Sequence, residues 1–166
     1  MFNAACFNDA ATSEIYTPFS KAVLAQMPPR DELPVPEHIA SPDAWPQSDD
    51  LADWKLLPTR PDWAGGMREF WQVGEDAAQA RLEEWAGDVG DYDAGRNLPS
   101  QDGSSRLSPH LHWGEISPVQ IWHRLSGSRS AGWKTFEKEL IWRDYAQNVI
   151  CEFPNYPKKS YRDGSS

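Results

Sequence analysis

One short segment of the sequence places an acid, an aromatic ring and a base close together. In ELIWRDYAQN, at residues 139–148, Trp142 follows Glu139 by three positions and Arg143 follows it by four. Residues three and four apart project from the same face of a helix, so these three side chains are expected to be neighbours.

Two interpretations of this segment are open on spacing alone. In the structural one, Glu139 and Arg143 form an intrahelical ion pair, contributing about 0.3 kcal/mol at a surface, and Trp142 packs in the core. In the binding one, the carboxylate accepts a hydrogen bond from a ring N–H while the indole stacks on a neighbouring ring. The spacing favours the structural interpretation.

A second segment, SSRLSPHLHWGEISP at residues 104–118, is rich in hydroxyl groups. Ser108 followed by Pro109 predicts a helix N-cap with proline in the first turn. Free amides at a helix start, together with the hydroxyls of Ser104 and Ser105, would suit a phosphate or pyrophosphate. Alternatively, the serines only cap a turn and a helix.

The histidines and cysteines do not form a ligand set that predicts a metal site. His110 and His112 make an H-x-H pair without a third ligand, which indicates packing or hydrogen bonding. Cys6 and Cys151 give neither a CxxC motif nor a disulfide framework, so a reducing compartment is expected.

Composition sets the class of the molecule. The 166 residues are enough for one domain, and 9 tryptophans indicate a large aromatic core or surfaces that stack on rings. The net charge of −9 is opposite to the basic footprint of nucleic-acid-binding proteins. Neither a signal peptide nor an apolar stretch of membrane-spanning length is present, so we expect a cytoplasmic protein that makes no membrane contact.

The chain divides near residue 73. Residues 1–73 hold most of the prolines, which predicts little regular structure over 26–47. The segment 51–66 is expected to be a loop anchored by apolar side chains, namely Trp54, Leu56, Leu57 and Trp63.

From residue 74 the pattern becomes helical, and the fold class is mainly α. A helix from Gly74 to Gly87 carries two acids in its first turn and an apolar face of Ala77, Leu82 and Trp85. A short helix is expected around Tyr92. Further helices follow from a capping box at Ser117 and Gln120 and from the long run WKTFEKELIWRDYAQNVICEF, whose apolar residues predict a largely buried helix.

The motifs together resemble a known family. SSRLSPHLHWGEISPVQIW followed by FEKELIWRDYAQNVI is similar to the flavin-binding domain of the DNA photolyase/cryptochrome family, which shows T/S-S-x-L-S-P-x-L-x-x-G-x-I/L-S-P-R and then E-L-x-W-R-E-F/Y. YTPFSKAV, LLPTRPDWAGG and the pair Tyr92 and Arg96 resemble upstream family segments in the same order. The resemblance covers roughly residues 15–163.

The resemblance implies roles for particular residues. It implies FAD as cofactor, contacted by Tyr92, Ser104, Ser105, Arg106, Leu107, Ser108 and Phe136. The serine segment would cradle the diphosphate, and Ser104 stands where threonine is more frequent. Arg96 falls on a DNA-contacting position, and Arg143 lies between flavin and DNA, contacting both. Glu139 and Trp142 fall on lesion-contacting, catalytic positions, while Asp144 stands where Glu is commoner.

The activity implied is light-dependent DNA repair. A pyrimidine dimer would be flipped out of the duplex into a pocket above the flavin. Light-excited reduced FAD would then transfer an electron that splits the cyclobutane ring. Two alternatives stay open, namely a cryptochrome-like blue-light receptor and an inactive truncated helical fragment.

The resemblance also implies that the chain is partial. It corresponds to a Pro/Trp-rich interdomain connector at 1–73 and the N-terminal half of the FAD-binding helical domain at 74–166. Half a cofactor cavity would leave apolar surface exposed, which predicts weak FAD binding or association, and we expect the isolated chain to be inactive. A basic groove in the remaining half would reconcile the net charge of −9 with DNA repair.

Overall fold

The computed structural model describes residues 16–159, so Cys6 and both chain ends lie outside the described part. This part holds seven α-helices: α1 Tyr16–Leu24, α2 Gly65–Phe70, α3 Glu75–Asp88, α4 Tyr92–Gly95, α5 Ser108–Trp113, α6 Pro118–Leu125 and α7 Ala131–Glu152. Two 3-10 turns, Leu51–Trp54 and Val89–Asp91, complete it. Residues 16–159 contain no strand, which confirms the mainly α fold class. Among these helices, none combines the length and the apolar character that crossing a membrane requires.

Helix α3 begins where the sequence predicts and runs one residue past the predicted end at Gly87. Gly74 precedes it with φ of 101°, in the left-handed region that glycine tolerates best, and two acids occupy its first turn. Its buried face is made of Ala78, Leu82 and Trp85. The predicted Ala77 is therefore wrong as a core position, because Ala78, four residues before Leu82, lies on the buried face in its place.

The two helices around residue 115 begin differently. At α6 the predicted capping box is confirmed, with the Gln120 amide donating to Ser117 Oγ at 3.1 Å and the Ser117 amide to Gln120 Oε1 at 2.8 Å. At α5 the predicted Ser108 cap is wrong, and Leu107 is the N-cap. Leu107 is fully buried and its carbonyl accepts the first intrahelical bond from Leu111, which leaves Ser108 inside the helix with its hydroxyl exposed.

Helix α7 is buried on two sides. Ser130 caps it by accepting from the Trp133 amide at 3.1 Å. Its first half contributes Trp133, Phe136 and Leu140 to a core shared with α3 and α6. Its second half contributes Ile141, Tyr145 and Val149 to another core, which Phe19 and Val23 of α1 complete. This confirms the prediction of a largely buried helix without a single apolar stripe.

Most residues of the segment between α1 and α2 are exposed. Residues 26–47 contain no helix, as their prolines predict. The expected anchoring role of Trp54, Leu56, Leu57 and Trp63 is wrong, since all four side chains are exposed. Main-chain groups here bond within short local turns, such as Lys55 N–H to Ala52 O at 3.2 Å, and the rings face solvent. Association through this apolar surface stays a prediction.

The predicted division at residue 73 also stays a prediction. Helix α1 lies within the predicted connector and packs against α7, so part of 1–73 belongs to the same packed unit as the helices after residue 74.

The start of α7 depends on a glycine. A Cβ at position 132 would overlap the carbonyl oxygens of Val89 and Gly90, because the helix lies directly on that 3-10 turn. We therefore expect Gly132→Ala to lower the free energy of unfolding in urea by about 1–3 kcal/mol, as overpacking does. Gly87→Ala is the control, since its Cβ meets open space within α3 and should be neutral or stabilising by about 0.5–1 kcal/mol. Equal losses for both variants would contradict this packing.

The docking of α1 can be tested in the same way. Phe19 is 0% exposed whereas Phe70 is 55% exposed. Phe19→Ala should cost about 3–5 kcal/mol of unfolding free energy because it empties the second core, while Phe70→Ala should cost far less. A small loss at Phe19 would mean that α1 does not pack on α7.

Candidate functional site

A pocket of about 620 Å³ lies where α4, the start of α5 and α7 face one another. Its lining residues are Trp71, Tyr92, Ser104, Ser105, Arg106, Ser108, Pro109, Leu111, Phe136, Glu139, Leu140 and Arg143. The pocket therefore has a hydroxyl-rich side, an aromatic side and charged groups of both signs. Eight of the eleven predicted site residues line it. Leu107, Arg96 and Trp142 do not.

The hydroxyl-rich side is a loop held in place from α3. Arg81 Nε donates to the Ser105 carbonyl at 2.8 Å, and its Nη2 donates to the Ser104 carbonyl at 3.3 Å. Within the loop, the Leu107 amide donates to Ser105 Oγ at 3.3 Å. Both carbonyls are thus occupied by Arg81, while Ser104 and Ser108 line the pocket. Sequence reasoning missed Arg81, because its partners lie 24 and 23 residues away and nothing in the local pattern marks it.

Arg106 sits at a turn of the chain in this loop. Its φ of 55° places the main chain in the left-handed region, which is uncommon for a residue with a side chain. The guanidinium pairs with Asp102 at 2.6 Å and lies 4.7 Å from the centre of the Phe70 ring. The positive charge is thereby held at the edge of the pocket, whereas Leu107 turns inward and is entirely buried in the first core.

The aromatic side of the pocket is formed by Tyr92 and Phe136, which pack edge-to-face and also contact Trp85. The ring centres of Tyr92 and Phe136 lie 5.1 Å apart at 88°, and that of Trp85 lies 5.6 Å from Tyr92 and 5.5 Å from Phe136. Burial, opposed by nearby Arg96, raises the pKa of Tyr92, so its hydroxyl stays protonated at neutral pH. Trp71, just after α2, also lines the pocket and was missed in the sequence.

A different ion pair from the one expected spans the mouth of the pocket. Glu139 Oε1 accepts from Arg96 Nη1, and this hydrogen bond raises the pKa of Arg96. The Arg96 guanidinium also lies 5.2 Å from the centre of the Tyr92 ring. The intrahelical Glu139–Arg143 pair is therefore wrong, because the Glu139 carboxylate pairs with Arg96, the residue that follows α4. Arg143 Nη2 instead donates to the Leu111 carbonyl at 3.0 Å.

Trp142 lies beside the pocket rather than in it. Its indole stacks on Tyr16 of α1 with ring centres 3.5 Å apart and planes at 3°. It remains 43% exposed. Glu139 and Trp142 thus project from one side of α7, but the structure gives them different neighbours.

The histidines behave as hydrogen-bonding and surface groups. His110 is buried, and its Nδ1 lies 2.6 Å from Glu115 Oε2, a contact that holds the pKa of that carboxyl below its usual range. His112 is exposed and meets the Trp113 ring edge-on. Within residues 16–159, no group of three or more His, Cys, Asp or Glu side chains could hold a metal ion.

Known proteins similar to this chain are photolyases and a cryptochrome. A deoxyribodipyrimidine photo-lyase of Agrobacterium fabrum is 38% identical over 154 residues, covering 90% of this chain and 32% of that protein. The cryptochrome DASH of Danio rerio is 31% identical over 154 residues, covering 86% of this chain and 29% of that protein. The crystal structure of a bacterial class III photolyase from Agrobacterium tumefaciens matches with a TM-score of 0.81 at 36% identity, over 89% of this chain and 32% of that one.

No family model matches the chain. The chain spans about a third of the length of the curated relatives it matches. The sequence identity and the structural similarity extend over nearly the whole chain and coincide with the helices that build the pocket. The chain therefore belongs to the DNA photolyase/cryptochrome family and carries part of the helical region of such a protein.

Proposed function

We propose that this chain forms part of a light-dependent DNA repair enzyme that splits pyrimidine dimers with reduced FAD. The observation that carries the proposal is the pocket itself. Residues from α4, the 104–108 loop and α7 meet around about 620 Å³, a volume within the range of cofactor sites. Relatives that are named deoxyribodipyrimidine photo-lyase support the same assignment.

The donor set of the loop suits the diphosphate of FAD. Ser104, Arg106 and Ser108 line the pocket, so two hydroxyls and one guanidinium are available as donors there. Hydrogen bonds from hydroxyls and guanidinium groups to phosphate are charge-assisted and stronger than neutral ones. Ser105 takes a supporting role, since its hydroxyl accepts from Leu107 within the loop.

The opposite side suits a flat ring system. Phe136, Tyr92 and Leu140 supply apolar and aromatic surface, and Arg143 and Glu139 supply polar groups at its edge. When bound and excited by light, reduced FAD supplies the electron that opens the cyclobutane ring. The residues of this chain bind the cofactor, orient it and exclude water from it.

The residues at the mouth of the pocket suit DNA with a flipped dimer. Arg96 contacts a backbone phosphate, Glu139 accepts a hydrogen bond from a base N–H, and Trp142 stacks beside the base. Arg96 and Glu139 now neutralise each other. A phosphodiester offers Arg96 another partner, and this releases the carboxylate to accept from the base.

A blue-light receptor is the second candidate, and the similarity to cryptochrome DASH favours it. Such a receptor would use the same pocket for FAD but would not need both Glu139 and Trp142 beside it. Tighter binding of DNA that contains a pyrimidine dimer than of undamaged DNA therefore distinguishes a repair enzyme from a receptor. A folded chain that never binds FAD would instead support an inactive helical fragment.

The serine loop provides a direct test of FAD binding. The double variant Ser104→Ala, Ser108→Ala should weaken FAD binding by about tenfold or more, because each hydroxyl bonded to a charged group contributes about 1.5–3 kcal/mol. Quenching of flavin fluorescence on titration with the chain measures the affinity. Ser100→Ala is the matched control, since Ser100 is exposed on the preceding loop and does not line the pocket. Equal affinity of all three proteins, or no binding by any of them, would contradict the assignment.

Glu139 provides a test of the DNA side. Glu139→Gln should reduce the preference for an oligonucleotide with one thymine dimer by about tenfold, because the base loses a charged acceptor. Affinity for the undamaged strand should stay equal or rise, since Arg96 loses its intrachain carboxylate. Fluorescence anisotropy with labelled oligonucleotides measures both.

Glu152→Gln, at the exposed end of α7, is the control for removing one negative charge from the same helix. Equal shifts for damaged and undamaged strands in Glu139→Gln would argue against a lesion contact.

A further inference from the structure

Tyr16 covers one face of Trp142. The two rings are parallel within 3° with centres 3.5 Å apart, and they come from opposite ends of the described chain. This face-on contact fixes the plane of the indole relative to α7. The other face of the indole has no such partner among residues 16–159, and 43% of the side chain is exposed.

The Tyr16 ring is itself held in place. Tyr145 meets both Tyr16 and Trp142 edge-on, with ring centres 5.5 Å away in each case. Phe19, one turn further along α1, is fully buried and packs edge-on against Tyr145, with ring centres 5.3 Å apart. The stack is therefore an extension of the second core, and the position of Tyr16 follows from the packing of α1.

The Tyr16 hydroxyl adds a weaker contact. It donates to the Lys138 carbonyl at 3.4 Å, a long hydrogen bond one turn before Trp142. Burial and the nearby Glu139 carboxylate raise the pKa of Tyr16, so the phenol brings no charge to the stack at neutral pH. The ring, rather than the hydroxyl, makes the main contact with Trp142.

We propose that Tyr16 is a positioning residue that holds the Trp142 indole with its outer face ready to stack on a base flipped out of DNA. This inference rests on the proposed repair function and adds a residue on α1 to it. An unsupported indole on a helix surface must be ordered when the base arrives, and that ordering opposes binding. Tyr16 orders the indole beforehand, and the bound state is a three-ring stack of Tyr16, Trp142 and base.

A double-mutant cycle tests this role. Tyr16→Leu removes the ring, Tyr16→Phe restores it without the hydroxyl, and Trp142→Ala removes the surface that Tyr16 supports. The double variant Tyr16→Leu, Trp142→Ala completes the cycle. Each protein is titrated with two single-stranded oligonucleotides of the same sequence, one of which contains a single thymine dimer. Thermal melting by circular dichroism checks that each variant folds, and Tyr16→Met replaces Tyr16→Leu if the latter does not.

We expect Tyr16→Leu to weaken binding of the dimer strand by about threefold to tenfold, the effect of losing one aromatic pair, with the undamaged strand unchanged. Tyr16→Phe should restore the affinity. In the Trp142→Ala background, Tyr16→Leu should have no further effect, which a merely structural role of Tyr16 would not produce.

Two results would overturn the inference in distinguishable ways. A dimer preference that Tyr16→Leu leaves intact, or reduces equally with and without Trp142, would overturn the role of Tyr16 alone. No dimer preference in the unmodified chain would overturn the proposed repair function and the role of Tyr16 with it.

Discussion

The two-sided burial of α7 is the constraint on which the rest of the structure depends. Its first half packs on α3 and α6, its second half packs on α1, and the residues between the two cores face the pocket and its rim. Because both halves are anchored, Glu139 and Arg143 are carried on a helix that cannot rotate without emptying one core. The site is therefore rigid on the α7 side, as a cofactor pocket requires.

Although the chain is acidic overall, it places arginine side chains in and beside the pocket. The net charge is −9, yet Arg106 and Arg143 face the pocket and Arg96 lies at its mouth. Each arginine is engaged within the protein, by Asp102, by the Leu111 carbonyl or by Glu139. An anionic ligand would exchange these partners rather than meet bare charges. Long-range attraction of DNA is not expected from this part of the protein.

The local elements could be predicted from the sequence because their signals are local. The capping box at Ser117, the acidic first turn of α3 and the length of α7 each depend on residues within a few positions. The motif residues of the pocket could be named from the family resemblance. The hydrogen-bond partners of the arginines could not be predicted, because they are distant in sequence. Arg96 pairs with Glu139, 43 residues away, and Arg81 bonds to the Ser105 carbonyl, 24 residues away. Ser108 and Ala77 were misplaced by one position, since the burial of Leu107 and Ala78 decides the register.

The proposed function requires that this chain itself binds FAD around the serine loop and α4. Amide hydrogen exchange followed by mass spectrometry, with and without FAD, tests it most directly. FAD should slow exchange at residues 104–108 and 92–96 and leave the exposed residues 31–57 unchanged. Exchange that FAD does not slow at 104–108, or slows only elsewhere, would contradict FAD binding in this pocket.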